Sequence, residues 1–471
     1  MQNIARQFLS SASAATLSQL WRIGITFLTH VALRRLVPPD QLGLWNWVDP
    51  LFFTLAQFRD LGVNGQVVRD PRHPFGNFLR LELFWGGAFT AMIFLGAPML
   101  AGLYEDHTVP VVPVLRAMCI FLFVHGLGMV PTIFFEVELK VLRTVKAEIL
   151  RNTVFAGLAL SLAYLGYGVW SAIVGHVVAA SLYTVMIWAE AWREIRLQLI
   201  PETWRLVASS LPLMVMSMLE QMVLRIDYFV LGLRFPTAVI GFAGLAWQAV
   251  FFFSRMLADS VGRSLYPALV RYGDEPRRAF DAYRVATVFM MSLSVPLAFF
   301  LFGNAELVVQ ILGGKGWEGA AVYLRWLSLV PLARPFTMFG IELLLTLHLD
   351  RWLLTSTLLN LISVGGLGLW LTDTTLGPLG MALAGYFPLG MLTLLWAIRK
   401  AAGPSLAALF LQLFELELVG ALLFLPIYFL LPTGEQMIPR FVFFCLAGIA
   451  YLGYAWWRNA EMFRRFVRGE L

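Results

Sequence analysis

Arg22, Arg225, Arg255 and Arg334 each interrupt a long apolar stretch, well away from its ends. A guanidinium stays ionised in a protein, and holding one at mid-membrane depth costs roughly 3 kcal/mol or more. A side chain kept at that depth faces an aqueous cavity and acts there. Its planar fork of N–H donors matches phosphate oxygens two at a time. The chemistry implied is recognition of a negatively charged head group in a polar interior. Deep acids are fewer: Glu220, Asp227 and Glu342.

Each of these residues also has a plainer reading. Arg22 is equally suited to pairing with an acid elsewhere in a helix bundle. Arg225 and Asp227 are two residues apart and Glu220 is five from Arg225, so none of the three neutralises another across one helix turn. Arg255, Asp259 and Arg263 recur every four residues, and an intrahelical ion ladder that snorkels to the surface explains them as well as a ligand does. Arg59, beside Asp60, falls near the repeat position that mirrors Arg255. Arg334 is central in its span, with Arg325 and Glu342 toward opposite ends. The candidate anion-binding set is therefore Arg22, Arg59, Arg225, Arg255 and Arg334. Glu220, Asp227 and Glu342 are the candidates for proton or sodium coupling, with Asp227 also placed to be structural. Trp45, Trp47 and Trp247 are possible stacking surfaces for sugars, although such rings more often form interfacial belts.

The elements that must position these residues follow from composition. The 471 residues are 59% hydrophobic and 14% charged, with a mean hydropathy of +0.74; soluble domains carry about 25% charged residues. A membrane-spanning helix needs about 20 apolar residues. Fourteen such spans are predicted, at about residues 9–36, 42–66, 77–103, 111–135, 147–167, 169–190, 206–233, 238–265, 281–303, 318–347, 352–372, 377–398, 405–431 and 437–457. The first reads as a transmembrane helix and not as a cleavable signal peptide. The net charge of +6 reflects topology and not nucleic acid, because 22 loop lysines and arginines fall on the side shared by both termini. Only Arg34, Arg35, Arg234, Lys315 and Arg440 fall on the other, which predicts cytoplasmic N- and C-termini. The charged segment from Glu136 to Arg151 predicts an amphipathic interfacial helix on the cytoplasmic face.

The first twelve spans show a weak internal repeat. Arg35 to Gly43, then a span ending in Asp60, Gly62 and Arg69, resembles Arg234 to Gly241, then a span ending in Asp259, Gly262 and Arg271. GVWSAIVG (Gly168 to Gly175) resembles PLGMALAG (Pro378 to Gly385). An even number of spans between equivalent points makes this a parallel repeat, the pattern of two-lobed transporters with a ligand site between lobes. The expected organisation is an N-terminal lobe over 1–200, a C-terminal lobe over 201–402, and two further helices over 403–471. No extramembrane segment is large enough for a catalytic domain. No phosphate-cradling loop or metal cluster is apparent, and Cys119 and Cys445 read as packing residues.

The segments RLVPPDQLGLW (Arg35 to Trp45), FRDLGVNGQVVRD (Phe58 to Asp70), RIDYFVLGLRFPTAVIGFAGLAWQ (Arg225 to Gln248), SVGRSLYPALVR (Ser260 to Arg271) and GWEGAAVYLRWL (Gly316 to Leu327) resemble the polysaccharide flippases. These belong to the superfamily of multidrug exporters and lipid II flippases. The resemblance implies an all-α polytopic membrane protein with two pseudosymmetric six-helix lobes around a central cavity. It also implies an undecaprenyl-diphosphate-linked oligosaccharide as cargo, moved by alternating access across the bacterial inner membrane. Polysaccharide polymerase and glycosyltransferases are the expected partners, with no cofactor beyond a coupling ion. A cation-coupled multidrug exporter, a lipid II flippase and a non-transporting scaffold are the alternatives; the first calls for an acid-rich cavity. The arginine immediately before the Ile226–Asp227 pair departs from the family pattern, and the last two spans carry little of it.

Overall fold

The computed structural model describes residues 21–63, 75–195, 203–252, 275–367, 390–402, 405–431 and 437–467, isolated positions apart. Every regular element among them is a helix. In hydrocarbon the backbone has no water to bond, so an apolar segment must satisfy its N–H and C=O groups within itself. Among the described residues six helices are long and apolar enough to cross a membrane, and a seventh candidate is a pair bent by 47° at its break. The chain is a multi-pass membrane protein. It divides into two compact units, Met1–Gly241 and Phe242–Leu471.

The first unit contains α1 (21–36), α2 (Pro39–Asp60), α3 (Phe75–Ala101), α4 (Val111–Val137), α5 (Val141–Tyr164), α6 (Val169–Ala191) and α7 (Thr203–Arg234). α6 lies against α5 and α4, α2 against α7, and α3 against α4. Small residues allow these approaches: a Cβ on Gly175 would touch Ala159 of α5 at 3.2 Å. α2 begins at Pro39, where a missing N–H costs nothing. It ends on Leu61 with φ of 51°, a left-handed conformation rare for a leucine.

A second close approach joins the two repeat-related glycines at the start of α8 (Thr237–Phe252). A Cβ on Gly43 would fall 1.9 Å from the Thr237 carbonyl oxygen, and one on Gly241 would fall 2.2 Å from that of Pro39. The contact is reciprocal, each glycine meeting the residue that begins the other's helix. Asp106 holds the same helix start: its carboxylate accepts from the Thr237 N–H at 3.3 Å and hydroxyl at 2.8 Å, and Tyr104 donates to that hydroxyl at 3.0 Å.

The second unit is built on α9 (Pro276–Gly303), followed by α10 (Ala305–Leu312), α11 (Ala320–Leu327), α12 (Val330–Thr346), α13 (Asp350–Ile362), α14 (Gly390–Ala402), α15 (Ser405–Leu430) and α16 (Met437–Val467). α9 is buried by α12 on one side and by α15 and α16 on others. Phe299 of α9 stacks on Phe424 of α15 at 5.6 Å, and Phe424 stacks on Phe444 of α16 at 5.7 Å. At the other end of the same helices, Arg284 donates twice to Gln412, which donates to Asn459 at 2.5 Å. The last two helices thus share the core of this unit. Ile438, Phe443, Leu446, Ile449, Trp456 and Trp457 face outward along α16.

No separate interfacial helix forms between α4 and α5. α4 runs to Val137 and α5 starts at Val141, so the charged residues from Glu136 to Arg151 run from the end of α4 into the first half of α5. Lys140 and Arg143 instead reach Glu194, past the end of α6, at 2.6 and 2.8 Å. Hydrogen bonds from these two cations hold the Glu194 carboxyl below its usual range.

Gly43→Ala forces a methyl group onto the Thr237 carbonyl and is expected to cost about 1–3 kcal/mol in overpacking, read as a lower thermal midpoint in detergent. Gly96→Ala, where nothing lies within 4 Å of the added carbon, is expected to leave that midpoint unchanged.

Candidate functional site

In the first unit a polar layer runs through the helices. α1 supplies His30 and Arg34, α2 Asp49 and Arg59, α3 Glu82, α4 His125, α5 Arg151 and α6 His176. α7 supplies Arg225, Asp227 and Tyr228. Their charges act on one another across the unit.

Arg59 is fixed most tightly. Its side chain is 2% exposed and pairs with Glu82, 4% exposed, at 3.3 Å, while Nη1 donates to the Leu122 carbonyl of α4. Room for this pair comes from two glycines: a Cβ on Gly126 would fall 2.5 Å from both the Arg59 guanidinium carbon and Glu82, and one on Gly86 would fall 2.8 Å from Glu82. Glu82 opens a single π-helical turn, Glu82–Gly86, where one extra residue in the turn re-aims the side chain. This guanidinium is committed to a buried carboxylate and a carbonyl. The expectation that it contacts a ligand gives way, in this conformation, to a role in joining α2, α3 and α4.

Arg225 is placed differently. Half-buried on α7, its guanidinium lies over the ring of Phe53 of α2 at 5.6 Å, and that ring is 43% exposed. One carboxylate oxygen of Asp227 is buried without a hydrogen bond. Arg22 sits half-buried on α1 and has a partner. The side chain of Glu220 and all of Arg255, Asp259 and Arg263 lie outside the described residues.

In the second unit Arg334 stands on α12 just after the bend between α11 and α12. Pro331 and Pro335 flank it; each lacks a backbone N–H and breaks the helical ladder. Its guanidinium covers Phe251 of α8 at 4.2 Å, and Phe251 stacks on Trp247 at 4.8 Å. Met290, Ser294, Met338 and Phe339 complete the walls of a small cavity beside it. Stacking uses the flat face of a guanidinium and leaves its edges for hydrogen bonds. Glu342 is eight residues farther along α12, about 12 Å by helical rise, so it does not balance Arg334 directly; one of its oxygens is buried without a partner.

Phe53 and Phe251 are separated by the same number of residues as Gly43 and Gly241. Each unit therefore seats an arginine on the repeat-equivalent ring, although Arg225 and Arg334 are not themselves equivalent. The tryptophans weighed as stacking surfaces for sugars are engaged by protein. Trp45, Trp47 and Trp247 are all under 8% exposed, and their rings meet His176, Tyr104 and Phe251 respectively.

The three histidines of this layer are the main residues that sequence reasoning passed over. His176 is enclosed by Phe121 at 4.2 Å, Trp45 at 5.4 Å and Phe155 at 5.9 Å. Its Nε2 and the Nδ1 of His125 are buried without hydrogen bonds. Their signal was available: His30, His125 and His176 each stand inside a predicted span of the N-terminal half.

The fold is shared with solved membrane proteins. A lipid II flippase MurJ in an inward closed conformation superposes with a TM-score of 0.71 at 12% identity, covering 96% of this chain and 100% of that one. A multidrug resistance MATE family transporter in an inward-facing conformation gives 0.65 at 15% identity, with 82% and 95% covered. An outward-facing structure of that transporter family gives 0.57 at 18% identity, with 85% and 96% covered. At these identities the likeness is one of fold. None of the curated proteins matches the sequence significantly. The polysaccharide biosynthesis protein family matches residues 32–322, and the chain belongs to that family.

Arg59→Gln strands Glu82 without its cation and is expected to cost about 3–5 kcal/mol, seen as lost yield and a lower thermal midpoint. Adding Glu82→Gln should recover part of that loss. Normal stability of the single variant, with impaired export, would return Arg59 to the ligand-binding set.

Proposed function

We propose that this protein is a flippase that carries a lipid-linked oligosaccharide, joined to undecaprenyl through a diphosphate, across the bacterial inner membrane. The reading rests on one observation above the rest: in each unit an arginine inside apolar sequence is seated on a repeat-equivalent aromatic ring, Arg225 on Phe53 and Arg334 on Phe251. A ring holds the planar guanidinium in a fixed orientation, and that planar fork matches phosphate oxygens. Family membership in polysaccharide biosynthesis and the shared fold with a lipid II flippase support the same cargo class.

In this reading two six-helix lobes, over 1–200 and 201–402, alternate access around a central cavity. Arg22, Arg225 and Arg334 meet the diphosphate, with Arg255 as a further candidate. The sugars pass through the wet interior while the prenyl chain stays in lipid. The excess of basic residues on one face supports cytoplasmic termini, on the side where glycosyltransferases would deliver the unit; a polymerase would receive it outside. An exporter of cationic drugs on this fold would call for an acid-rich interior, and here deep arginines outnumber deep acids. A scaffold would have no use for a guanidinium poised on an exposed ring.

Asp227 and Glu342, each with a buried unpartnered carboxylate oxygen, are proposed to couple proton or sodium movement to transport, with Glu220 a further candidate. Dissipating both gradients in vesicles should then stop translocation, and unchanged transport would remove the coupling.

Arg22→Ala and Arg334→Gln are expected to fold normally and to slow export by about tenfold or more, the worth of one charge-assisted hydrogen bond. The measurement is surface polymer in cells and flipping of a labelled lipid-linked oligosaccharide in proteoliposomes. Normal export by both variants would overturn the proposed cargo site.

A further inference from the structure

The second unit holds a cationic cluster apart from Arg334. Arg440 lies in the first turn of α16, Tyr428 near the end of α15, Glu306 at the start of α10 and Arg325 in the last turn of α11. The Arg440 guanidinium covers one ring, Tyr428, at 4.7 Å, and Arg325 approaches the same ring at 5.6 Å. Phe302 meets that ring edge-on at 5.3 Å. Arg325 pairs with Glu306.

The Glu306 carboxylate that pairs with Arg325 acts on Arg440 through its charge. Arg440 is only 2% exposed, and both its Nε and its Nη2 are buried without a hydrogen-bond partner. Those two N–H groups form one edge of the fork, the edge that grips two oxygens at once. The same pair of helices shows that edge in use: Arg458 of α16 presents its Nε and Nη2 to both oxygens of Glu415 of α15, at 2.7 and 3.1 Å. At Arg440 the ring covers the face and the edge has nothing. A buried charge is stable when it is paired and hydrogen-bonded. Tyr428 cannot do the second, because a ring face accepts no in-plane N–H.

The surroundings indicate what would fill it. Phe429, Leu430 and Ile438, beside the cluster in sequence, are each more than 70% exposed. An anion arriving across such a surface brings an apolar chain with it. We propose that Arg440, with Arg325, Tyr428 and Glu306, binds the phosphate of a lipid head group at the outer face of the membrane. The outer placement rests on the orientation in the preceding reading; the binding site does not. The lipid phosphate comes either from the bilayer's own phospholipid or from the diphosphate of the carried lipid.

The test is native mass spectrometry of the purified full chain, released from micelles containing phosphatidylglycerol or phosphatidylcholine. Wild type should retain one phosphatidylglycerol in preference to phosphatidylcholine, and Arg440→Gln should lower that retention about tenfold or more. Arg440→Lys keeps the buried charge and loses the fork, so it should also release the lipid; it serves if Arg440→Gln does not fold. Undecaprenyl diphosphate displacing phosphatidylglycerol from wild type would make this a cargo site, and failure to displace it would make it a site for bilayer phospholipid. Equal retention of both anionic probes by wild type and Arg440→Gln, or full retention by Arg440→Lys, overturns the assignment. Arg334→Gln should keep the lipid. Normal export by Arg22→Ala and Arg334→Gln would therefore refute the cargo reading while leaving this site standing.

Discussion

A guanidinium cannot shed its charge, and this constraint organises the interior of the protein. Each arginine inside the apolar helices has to be answered by a carboxylate, a carbonyl, an aromatic face or an anion. Arg59 is answered by Glu82 and Leu122, Arg325 by Glu306, and Arg458 by Glu415. Arg225, Arg334 and Arg440 are answered by rings. The first group stiffens the fold. In the second the ring fixes the orientation of the guanidinium.

Some of this is legible in the sequence. A charge inside twenty apolar residues stands out in any sequence, so the deep arginines are plain in this one. The choice between structural and ligand-facing roles was not legible. Arg59 and Glu82 lie on different helices, and the π-turn that aims Glu82 has no periodic signature in ELFWG. The repeat was visible as RLVPPDQLG against RFPTAVIG, but the reciprocal contact of Gly43 and Gly241 depends on backbone approach, which sequence similarity does not state. The histidines escape a reading of the sequence because linear spacing hides neighbours on separate helices. The tryptophans leave their role open in sequence for a related reason: an aromatic side chain looks the same whether its face is open or taken by His176, Tyr104 or Phe251.

The C-terminal pair was the least informative stretch of sequence, since its apolar residues carry little family pattern. Stacked rings from Phe299 through Phe424 to Phe444, and the chain of polar contacts from Arg284 through Gln412 to Asn459, bind it to the central helix of its unit. Packing of this kind needs volume and shape more than particular motifs, which is why it leaves so faint a trace.

The outward face of α16 has one more consequence. From Ile438 to Trp457 it extends about 29 Å by helical rise, close to the roughly 30 Å hydrocarbon thickness of a typical bilayer. Arg440 and Arg458 stand at the two rims of that band, and paired tryptophans mark one of them. The helix therefore acts as a depth gauge, setting the height at which the whole second unit floats. A membrane several ångströms thicker or thinner would draw one rim out of register with its head groups, so lipid composition alone is able to retune how this protein meets its surroundings.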